Sequence, residues 1–117
     1  MRDVERLVVW NRAMDICEQT YDLARRLPAS ERFGLSTQMR RSAVSVASNI
    51  AEGAGRASES EFAHFLNLAA GSVAELITQL LLTARLHHID TAELVASARV
   101  VRRMLWSLRQ TVLSDAR

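Results

Sequence analysis

Residues 58–87, SESEFAHFLNLAAGSVAELITQLLLTARLH, contain the most apolar part of the chain, and they decide its predicted fold. Their large apolar side chains recur at spacings of three and four residues, which is the period of an α-helix with one buried face. This apolar stripe consists of Phe62, Leu66, Ala69, Val73, Leu76 and Leu80. Ser58 and Glu61 have the spacing of a capping box, in which side chains satisfy free amides of the first helical turn. The stretch is therefore predicted to form one long helix that begins after Ser58.

The apolar face of this helix is wider than a bundle core alone requires. The residues that widen it are Phe65, Ala70, Ile77, Leu81 and Ala84. We expect the excess to be buried against another subunit, because large exposed apolar patches are uncommon on monomers. A membrane span needs about 20 mostly apolar residues. No membrane association is predicted, since this stretch is interrupted by His64, Asn67, Glu75 and Gln79.

The residues that follow also have helical periodicity. Asp90 and Glu93 resemble a capping box in which Asp replaces Ser or Thr, so the last helix is predicted to start at Asp90. Its buried face is predicted to comprise Leu94, Ala98, Val101, Leu105, Leu108 and Val112.

The first helix is predicted to run from Val8 to Leu27. It ends before Pro28, because the residue that precedes a proline avoids helical geometry. Its apolar face is predicted to comprise Trp10, Met14, Cys17, Tyr21 and Ala24. Ser30 is expected to cap a short segment in the turn that follows.

The second helix is predicted to begin after Gly34 and to end near Gly53–Gly55. Small side chains surround its buried face and predict close packing against a neighbouring helix. The buried face is predicted to comprise Leu35, Met39, Ser42, Val46, Asn49 or Ile50, and Gly53.

Length and composition agree with these four helices. The chain has 117 residues, 49% of them hydrophobic, with four glycines and one proline, so few positions interrupt helices. Two separate cores would each be marginal at this length, and residues 1–117 are expected to form one domain. We predict an all-α fold, an up-down-up-down four-helix bundle with short connections.

The expected compartment is the cytoplasm. The N-terminal stretch carries charges and has too short an apolar run for a secretion signal. Cys17 is the single cysteine and has no partner for an internal disulfide. It is predicted to pack in the core.

The chain has 15 arginines and no lysine, and its formal net charge is +2. A genome whose codons favour arginine would explain this bias, as would binding of phosphate or carboxylate by the guanidinium fork. The candidate nucleic-acid-binding surface lies on one side of the last helix and comprises Arg99, Arg102, Arg103, Trp106 and Arg109. Arginine beside an aromatic ring provides phosphate contact and base stacking. A solvated arginine face with one interface tryptophan is the alternative.

Polar residues within the apolar stripes suggest a structural network between the second and third helices. A buried carboxylate is costly unless it is paired, which predicts arginine partners for the glutamates. The candidate Arg–Glu–Asn network comprises Arg40, Arg41, Asn49, Glu52, Ser72 and Glu75. Its expected role is to fix helix register or subunit geometry.

No catalytic residue, metal site or cofactor is predicted. Glu61 and His64 form one Glu-x-x-His pair, whereas a di-iron bundle needs two such pairs and two further glutamates. His87 and His88 end the third helix, where histidines interact with free carbonyls and the helix dipole. The Gly53–Gly55 run follows a helix rather than a strand, so it reads as a helix C-cap and not as a phosphate-binding loop.

The runs LPASERFGLSTQMRRSAVSVASNIAEGAGR and EFAHFLNLAAGSVAELITQL resemble bacterial four-helix-bundle proteins encoded in intervening sequences of large-subunit ribosomal RNA genes. The resemblance covers nearly the whole chain. Ala47 is a departure, because many relatives have proline there. The residues that carry the resemblance are Trp10, Tyr21, Leu27-Pro28, Glu31, Phe33-Gly34-Leu35, Gln38, Arg40-Arg41, Asn49-Ile50-Ala51-Glu52-Gly53, Gly71-Ser72 and Glu75.

The resemblance implies a left-handed bundle that assembles as a homopentamer, and it implies no enzymatic activity. A similar group, the accessory variability determinant of diversity-generating retroelements, forms basic pentamers that bind nucleic acid and partner a reverse transcriptase. We therefore expect a non-enzymatic homo-oligomer that binds RNA or DNA, alongside a nucleic-acid enzyme such as a reverse transcriptase. The alternative is a protein-interaction or structural assembly module without nucleic-acid binding.

Overall fold

The computed structural model describes residues 2–116, and these form four α-helices and two short 3-10 helices with no strand. The helices are α1 (Val8–Ala24), α2 (Leu35–Ala54), α3 (Glu59–His87) and α4 (Ala92–Asp115), with 3-10 turns at Val4–Arg6 and Ala29–Glu31. Short connections reverse the chain between consecutive helices, giving a body of 48 × 20 × 19 Å. The predicted all-α four-helix bundle is confirmed, whereas its left-handedness stays a prediction.

The predicted core faces of α3 and α4 are confirmed. On α3 the fully buried side chains are Phe62, Leu66, Ala69, Leu76 and Leu80. Val73 is buried almost completely. On α4, Leu108 packs at the edge of a buried row formed by Leu94, Ala98, Val101, Leu105 and Val112. Burial of each large apolar side chain contributes about 1.5–3 kcal/mol, so this row supplies much of what fixes α4 against the bundle.

The helix α2 packs closely against α3, as its small residues predict. A Cβ atom built on Gly53 would lie 2.7 Å from the Phe65 Cβ and 2.9 Å from the Phe62 Cδ1. Atoms so close would overlap, so only glycine allows this crossing. Met39, Val46 and Ile50 are buried on the same face of α2, which confirms the core of the predicted set.

The predicted face of α1 is only partly confirmed, because Ala24 is buried and Trp10 packs partly buried against the core. Met14 and Tyr21 are each 39% exposed, and Cys17 is half-buried at the edge of the core. The side chains that face the core lie one position earlier and comprise Val9, Ala13, Ile16, Thr20 and Leu23. The helix carries two adjacent apolar rows, and the row with the smaller Ala13 and Thr20 fits closer to the neighbouring helices. The bulkier row therefore lies at the edge of the core, with Met14 and Tyr21 exposed.

Several predicted helix ends shift by a few residues. The helix α1 ends at Ala24, and Leu27 lies in the following turn, although it is buried. Pro28, not Ser30, occupies the cap position of the short 3-10 turn that follows. The N-cap of α4 is Thr91, and the Asp90 carboxylate accepts a hydrogen bond from the Ala92 amide at 3.0 Å. The predicted Asp90–Glu93 capping box is therefore wrong.

The predicted ends of α2 and α3 agree better with the structure. Ser58 caps α3, because its hydroxyl accepts a hydrogen bond from the Glu61 amide at 3.1 Å. Gly55 is the C-cap of α2. The C-cap of α3 is His88, whose φ of 54° is left-handed and whose amide donates to the Ala84 carbonyl.

Side-chain hydrogen bonds hold both ends of α3. At its start, the Arg2 guanidinium donates to both carboxylate oxygens of Glu59, at 2.7 and 2.5 Å, and stacks on Phe62. This hydrogen bonding lowers the pKa of Glu59. At its end, the His87 Nε2 lies 2.7 Å from the Glu31 carboxylate, so His87 contacts a side chain of the α1–α2 connection rather than only the helix carbonyls.

Candidate binding surfaces

Exposed cations lie along one side of α4, opposite its buried row. Arg99, Arg102 and Arg103 are exposed, and none has an ion-pair partner within residues 2–116. Trp106 lies in the same sector and is 62% exposed. We call these residues, together with Arg109, the arginine face. It presents guanidinium groups and an aromatic ring to solvent, as the sequence periodicity predicts.

Arg109 differs from the other arginines of this face. It is only half-exposed, and its Nε is shielded from solvent with no hydrogen-bond acceptor among the described residues. A buried donor without a partner costs about 1–3 kcal/mol. The structure thus brings together three freely exposed arginines and Trp106, with Arg109 at the margin. Periodicity places Arg109 on the correct side of the helix but does not reveal this partial burial.

The polar seam between α2 and α3 is built from hydroxyl and amide groups. The Ser45 and Ser72 hydroxyls are 2.9 Å apart, which joins the two helices. The Asn49 Nδ2 donates to the Ser45 carbonyl at 2.9 Å and to its hydroxyl at 3.0 Å. Ser45 is thus the residue that links Asn49 to Ser72. Its position among small residues of α2 was visible in the sequence, but its pairing required the helix register.

The predicted Arg–Glu–Asn network does not form within the described part of the chain. Glu52 pairs with Arg56 on the exposed surface at 2.8 Å. The Arg40 guanidinium lies 5.8 Å from the centre of the Tyr21 ring, towards α1. Arg41 and Glu75 are exposed and make no ion pair. The small serines allow α2 and α3 to approach so closely that the longer charged side chains extend outside the seam.

A polar groove of about 350 Å³ runs outside this seam. We call it the α2–α3 groove; it is lined by Gln38, Arg41, Ser42, Ser45, Ser72, Glu75 and Gln79. The Gln79 Oε1 is shielded from solvent and has no donor among the described residues. One residue that lines the groove thus carries a shielded oxygen without a hydrogen-bond donor among residues 2–116.

Leucine side chains flank the groove on α3. Leu68, Leu82 and Leu86 are 43%, 41% and 59% exposed, and we call them the leucine row. By length and composition, α3 is the one helix within residues 2–116 that could cross a membrane, although core helices of soluble proteins pass the same test. Only a third of its most apolar window is buried in the chain. Much apolar surface of α3 therefore remains for another contact.

The groups with chemical reactivity are scattered. Glu61 and His64 are both exposed, and residues 2–116 hold no cluster of three acidic, histidine or cysteine side chains that could bind a metal ion. Partial burial raises the pKa of the Cys17 thiol, which keeps it protonated and poorly nucleophilic at neutral pH.

These features define a small all-helical bundle. It has a basic face on α4, and exposed leucines on α3 beside the α2–α3 groove. The chain belongs to the 23S rRNA-intervening sequence protein family, whose model matches residues 5–107. The expected family resemblance is thus confirmed.

A solved structure has the same fold. It is that of a protein of unknown function from the S23 ribosomal protein family of Bacteroides thetaiotaomicron VPI-5482. The two structures match with a TM-score of 0.80 and share 23% sequence identity. The match covers 87% of this chain and 98% of the other. At this identity the similarity concerns the fold alone. No curated protein matches the sequence significantly.

Proposed function

We propose that this chain is a non-enzymatic homo-oligomer that binds nucleic acid through the arginine face of α4. The observation that carries the proposal is the grouping of three exposed, unpaired guanidinium groups around a tryptophan that is 62% exposed. Arginines without carboxylate partners are available for phosphates. An aromatic ring of this exposure offers a stacking platform for an unpaired base.

The geometry favours single-stranded RNA or DNA over a duplex. Arg99 and Arg103 lie one helical turn apart, and Trp106 lies one turn beyond Arg102 and Arg103. A flexible strand can place phosphates on the guanidinium groups while one base stacks on the ring, whereas the bases of a duplex are already stacked. An accessory role beside a nucleic-acid enzyme such as a reverse transcriptase, in the cytoplasm, fits this non-catalytic binding.

Homo-oligomerisation would strengthen nucleic-acid binding by the arginine face. Three phosphate contacts give modest affinity, but a homopentamer would display the arginine face five times and gain avidity from a strand that spans several copies. The exposed leucine row and the half-buried α3 support self-association, because surface of this kind is usually covered.

Fluorescence anisotropy with a labelled single-stranded oligonucleotide tests the proposal. Changing Arg99, Arg102 and Arg103 to Gln is expected to abolish binding while the oligomer mass stays unchanged. A matched control changes Arg6, Arg12 and Arg26, which are also exposed and unpaired, to Gln and so removes the same charge. Equal loss in both variants would mean that only net charge matters, and it would overturn the assignment to α4.

A protein-interaction or structural assembly module is the second candidate, and the leucine row favours it. In that case the homo-oligomer would form, but it would bind no nucleic acid even at low salt. The arginine face would then maintain solubility or bind an acidic protein surface.

A further inference from the structure

We propose that a groove between α1 and α2 binds a phosphate group attached to an aromatic base, which is the chemistry of a nucleotide. The groove has a volume of about 330 Å³, and ligand pockets in proteins measure about 300–1,000 Å³. It lies on helices other than α4 and is therefore a second site, separate from the arginine face of the proposed function. We call it the α1–α2 groove; it is lined by Tyr21, Thr37, Arg40, Arg41, Val44 and Ser45.

The α1–α2 groove contains two positive charges and no negative one. Arg40 and Arg41 each contribute a guanidinium group, and no carboxylate is among the side chains that line the groove within residues 2–116. Neither arginine forms an ion pair in this part of the chain. A phosphate monoester carries a charge of about −1.5 to −2 at pH 7. The two guanidinium groups therefore match the charge of one terminal phosphate, or of two successive phosphates in a strand.

The nearest acidic side chains do not neutralise this groove. Glu18 and Asp22 of α1 line a different pocket, which shares only Tyr21 with the groove. Asp22 is already paired with a neighbouring arginine at 2.6 Å. Arg41 also lines the α2–α3 groove, where Glu75 lies, but the two side chains form no ion pair. Both guanidinium groups of the α1–α2 groove thus remain available to an anion.

Arg40 is held in position before any ligand binds. Its guanidinium lies 5.8 Å from the centre of the Tyr21 ring and donates to the hydroxyls of Ser36 and Thr37, each at 3.4 Å. Both hydroxyls are neutral, and they engage two of the five N–H groups of the guanidinium. The other N–H groups can donate to phosphate oxygens, which form shorter and stronger bonds than neutral acceptors do.

Tyr21 supplies an aromatic ring beside these charges. Periodicity predicts that this side chain is buried, yet it is 39% exposed and lines the groove. Aromatic rings next to phosphate-binding arginines are the means by which proteins hold an unpaired base. The ring and the two guanidinium groups together favour a phosphate that carries a base over a free inorganic anion.

Isothermal titration calorimetry with a nucleoside monophosphate, the same nucleoside without its phosphate, and inorganic phosphate tests the inference. The wild-type chain is expected to bind the monophosphate more tightly than inorganic phosphate and to show no measurable binding of the nucleoside. Changing Arg40 and Arg41 together to Gln should weaken binding of the monophosphate about tenfold or more, because charge-assisted hydrogen bonds are lost. Tyr21→Leu should lower the affinity for the monophosphate to that for inorganic phosphate.

The matched control changes Arg6 and Arg12 to Gln and so removes the same charge elsewhere. Both are exposed and unpaired within residues 2–116, and this variant should bind the monophosphate as the wild type does. Circular dichroism melts would show whether each variant folds. If the double variant of the groove folds poorly, Arg41→Gln alone should still weaken binding, since Arg41 is exposed and its loss does not disturb the core.

Titration of a single-stranded oligonucleotide identifies the source of the phosphate. If the groove variant loses affinity for both the oligonucleotide and the monophosphate, a nucleic-acid strand enters the groove. If it loses affinity for the monophosphate alone, the ligand is a free nucleotide, and either result supports the site. Unchanged affinity for both probes, or an equal loss in the control variant, would overturn the inference. The groove variant retains the arginine face, so the proposed function is tested independently.

Discussion

Gly53 decides how close α2 and α3 can approach. The Cβ atom of any other residue would overlap the Phe62 and Phe65 side chains, which belong to the buried start of α3. Phe62 is fully buried and also stacks under the Arg2 guanidinium, so it has little freedom to move away. Because Gly53 lacks a Cβ atom, α2 can contact Phe62, which in turn contacts Arg2 near the N-terminus.

Gly53→Ala is therefore expected to destabilise the chain. Overpacking in a filled core costs about 1–3 kcal/mol, which urea unfolding followed by circular dichroism would measure. Gly71→Ala is the matched control, since its new methyl group meets no atom within 4 Å of the chain. In dilute protein the control should be neutral or stabilising by up to about 1 kcal/mol. Equal effects of the two substitutions would contradict the close α2–α3 approach.

The Glu31–His87 pair predicts a pH dependence of stability. The hydrogen bond from His87 lowers the pKa of Glu31 below its ordinary value of 4.5. A carboxyl group with a lowered pKa in the folded state stabilises the fold above its ordinary pKa, and this contribution is lost as the pH falls through the lowered value. Glu31→Gln should consequently cost stability at pH 5–6, and its difference from the wild type should shrink below about pH 4.

Thermal melts across that pH range would measure this effect. Glu93→Gln, which removes a carboxylate without an ion pair, serves as the control and should follow the wild-type profile. A Glu31→Gln difference that stays constant from pH 6 to about pH 3 would contradict the stabilising role of the ionised Glu31 carboxylate.

Among the elements, the buried faces of α3 and α4 could be predicted from sequence, whereas for α1 the helix could be predicted but its buried face could not. The stripes of α3 and α4 are single, wide and rich in leucine, so one orientation buries far more apolar area than any other. The helix α1 carries two apolar rows one position apart, and helix-to-helix distance selects between them. That distance depends on Ala13 and Thr20 fitting against neighbouring helices, which periodicity does not encode.

The candidate sites divide in the same way. Periodicity correctly groups the exposed side chains of α4, because a residue's side of a helix follows from its number. Contacts between elements do not follow so directly. The Ser45–Ser72 bond and the failure of Glu75 to reach an arginine depend on the register of α2 against α3, whereas the burial of the Arg109 Nε depends on how α4 packs against its neighbours.

The corrected orientation of α1 makes a prediction. Ala13 is fully buried, so Ala13→Leu should overpack the core and destabilise the fold by about 1–3 kcal/mol. Met14→Gln acts on the outer row and should change the stability of dilute protein by less than about 0.5 kcal/mol. Chemical unfolding of both variants would measure this contrast. A larger cost for Met14→Gln would restore the face predicted from periodicity.

At the scale of the whole molecule, the surfaces have different characters. The arginine face carries charge and an aromatic ring on α4, while the leucine row offers apolar area on α3 and the α2–α3 groove is lined by polar side chains. Separate surfaces for ligand and self-association would let a ring form without covering its ligand sites. Nucleic-acid binding by the arginine face and self-association through the leucine row are therefore expected to be separable by mutation.

Trp106→Ala distinguishes single-stranded from duplex binding. Stacking on an aromatic ring contributes about 1–3 kcal/mol per base, so the substitution should weaken binding to a single-stranded oligonucleotide substantially. Binding to the same sequence as a duplex should change little, because its bases remain stacked. Anisotropy titrations of both probes would report the difference, and an equal loss on both would argue against base stacking.

The most direct test of the account is the salt dependence of binding of the wild-type oligomer to a single-stranded oligonucleotide. Three phosphate contacts per chain predict a slope of log affinity against log salt near −2 for each engaged copy, because bound phosphates release counterions. The slope should approach zero when Arg99, Arg102 and Arg103 are changed to Gln. Absence of binding at low salt, or a slope unchanged in that variant, would contradict nucleic-acid binding by the arginine face.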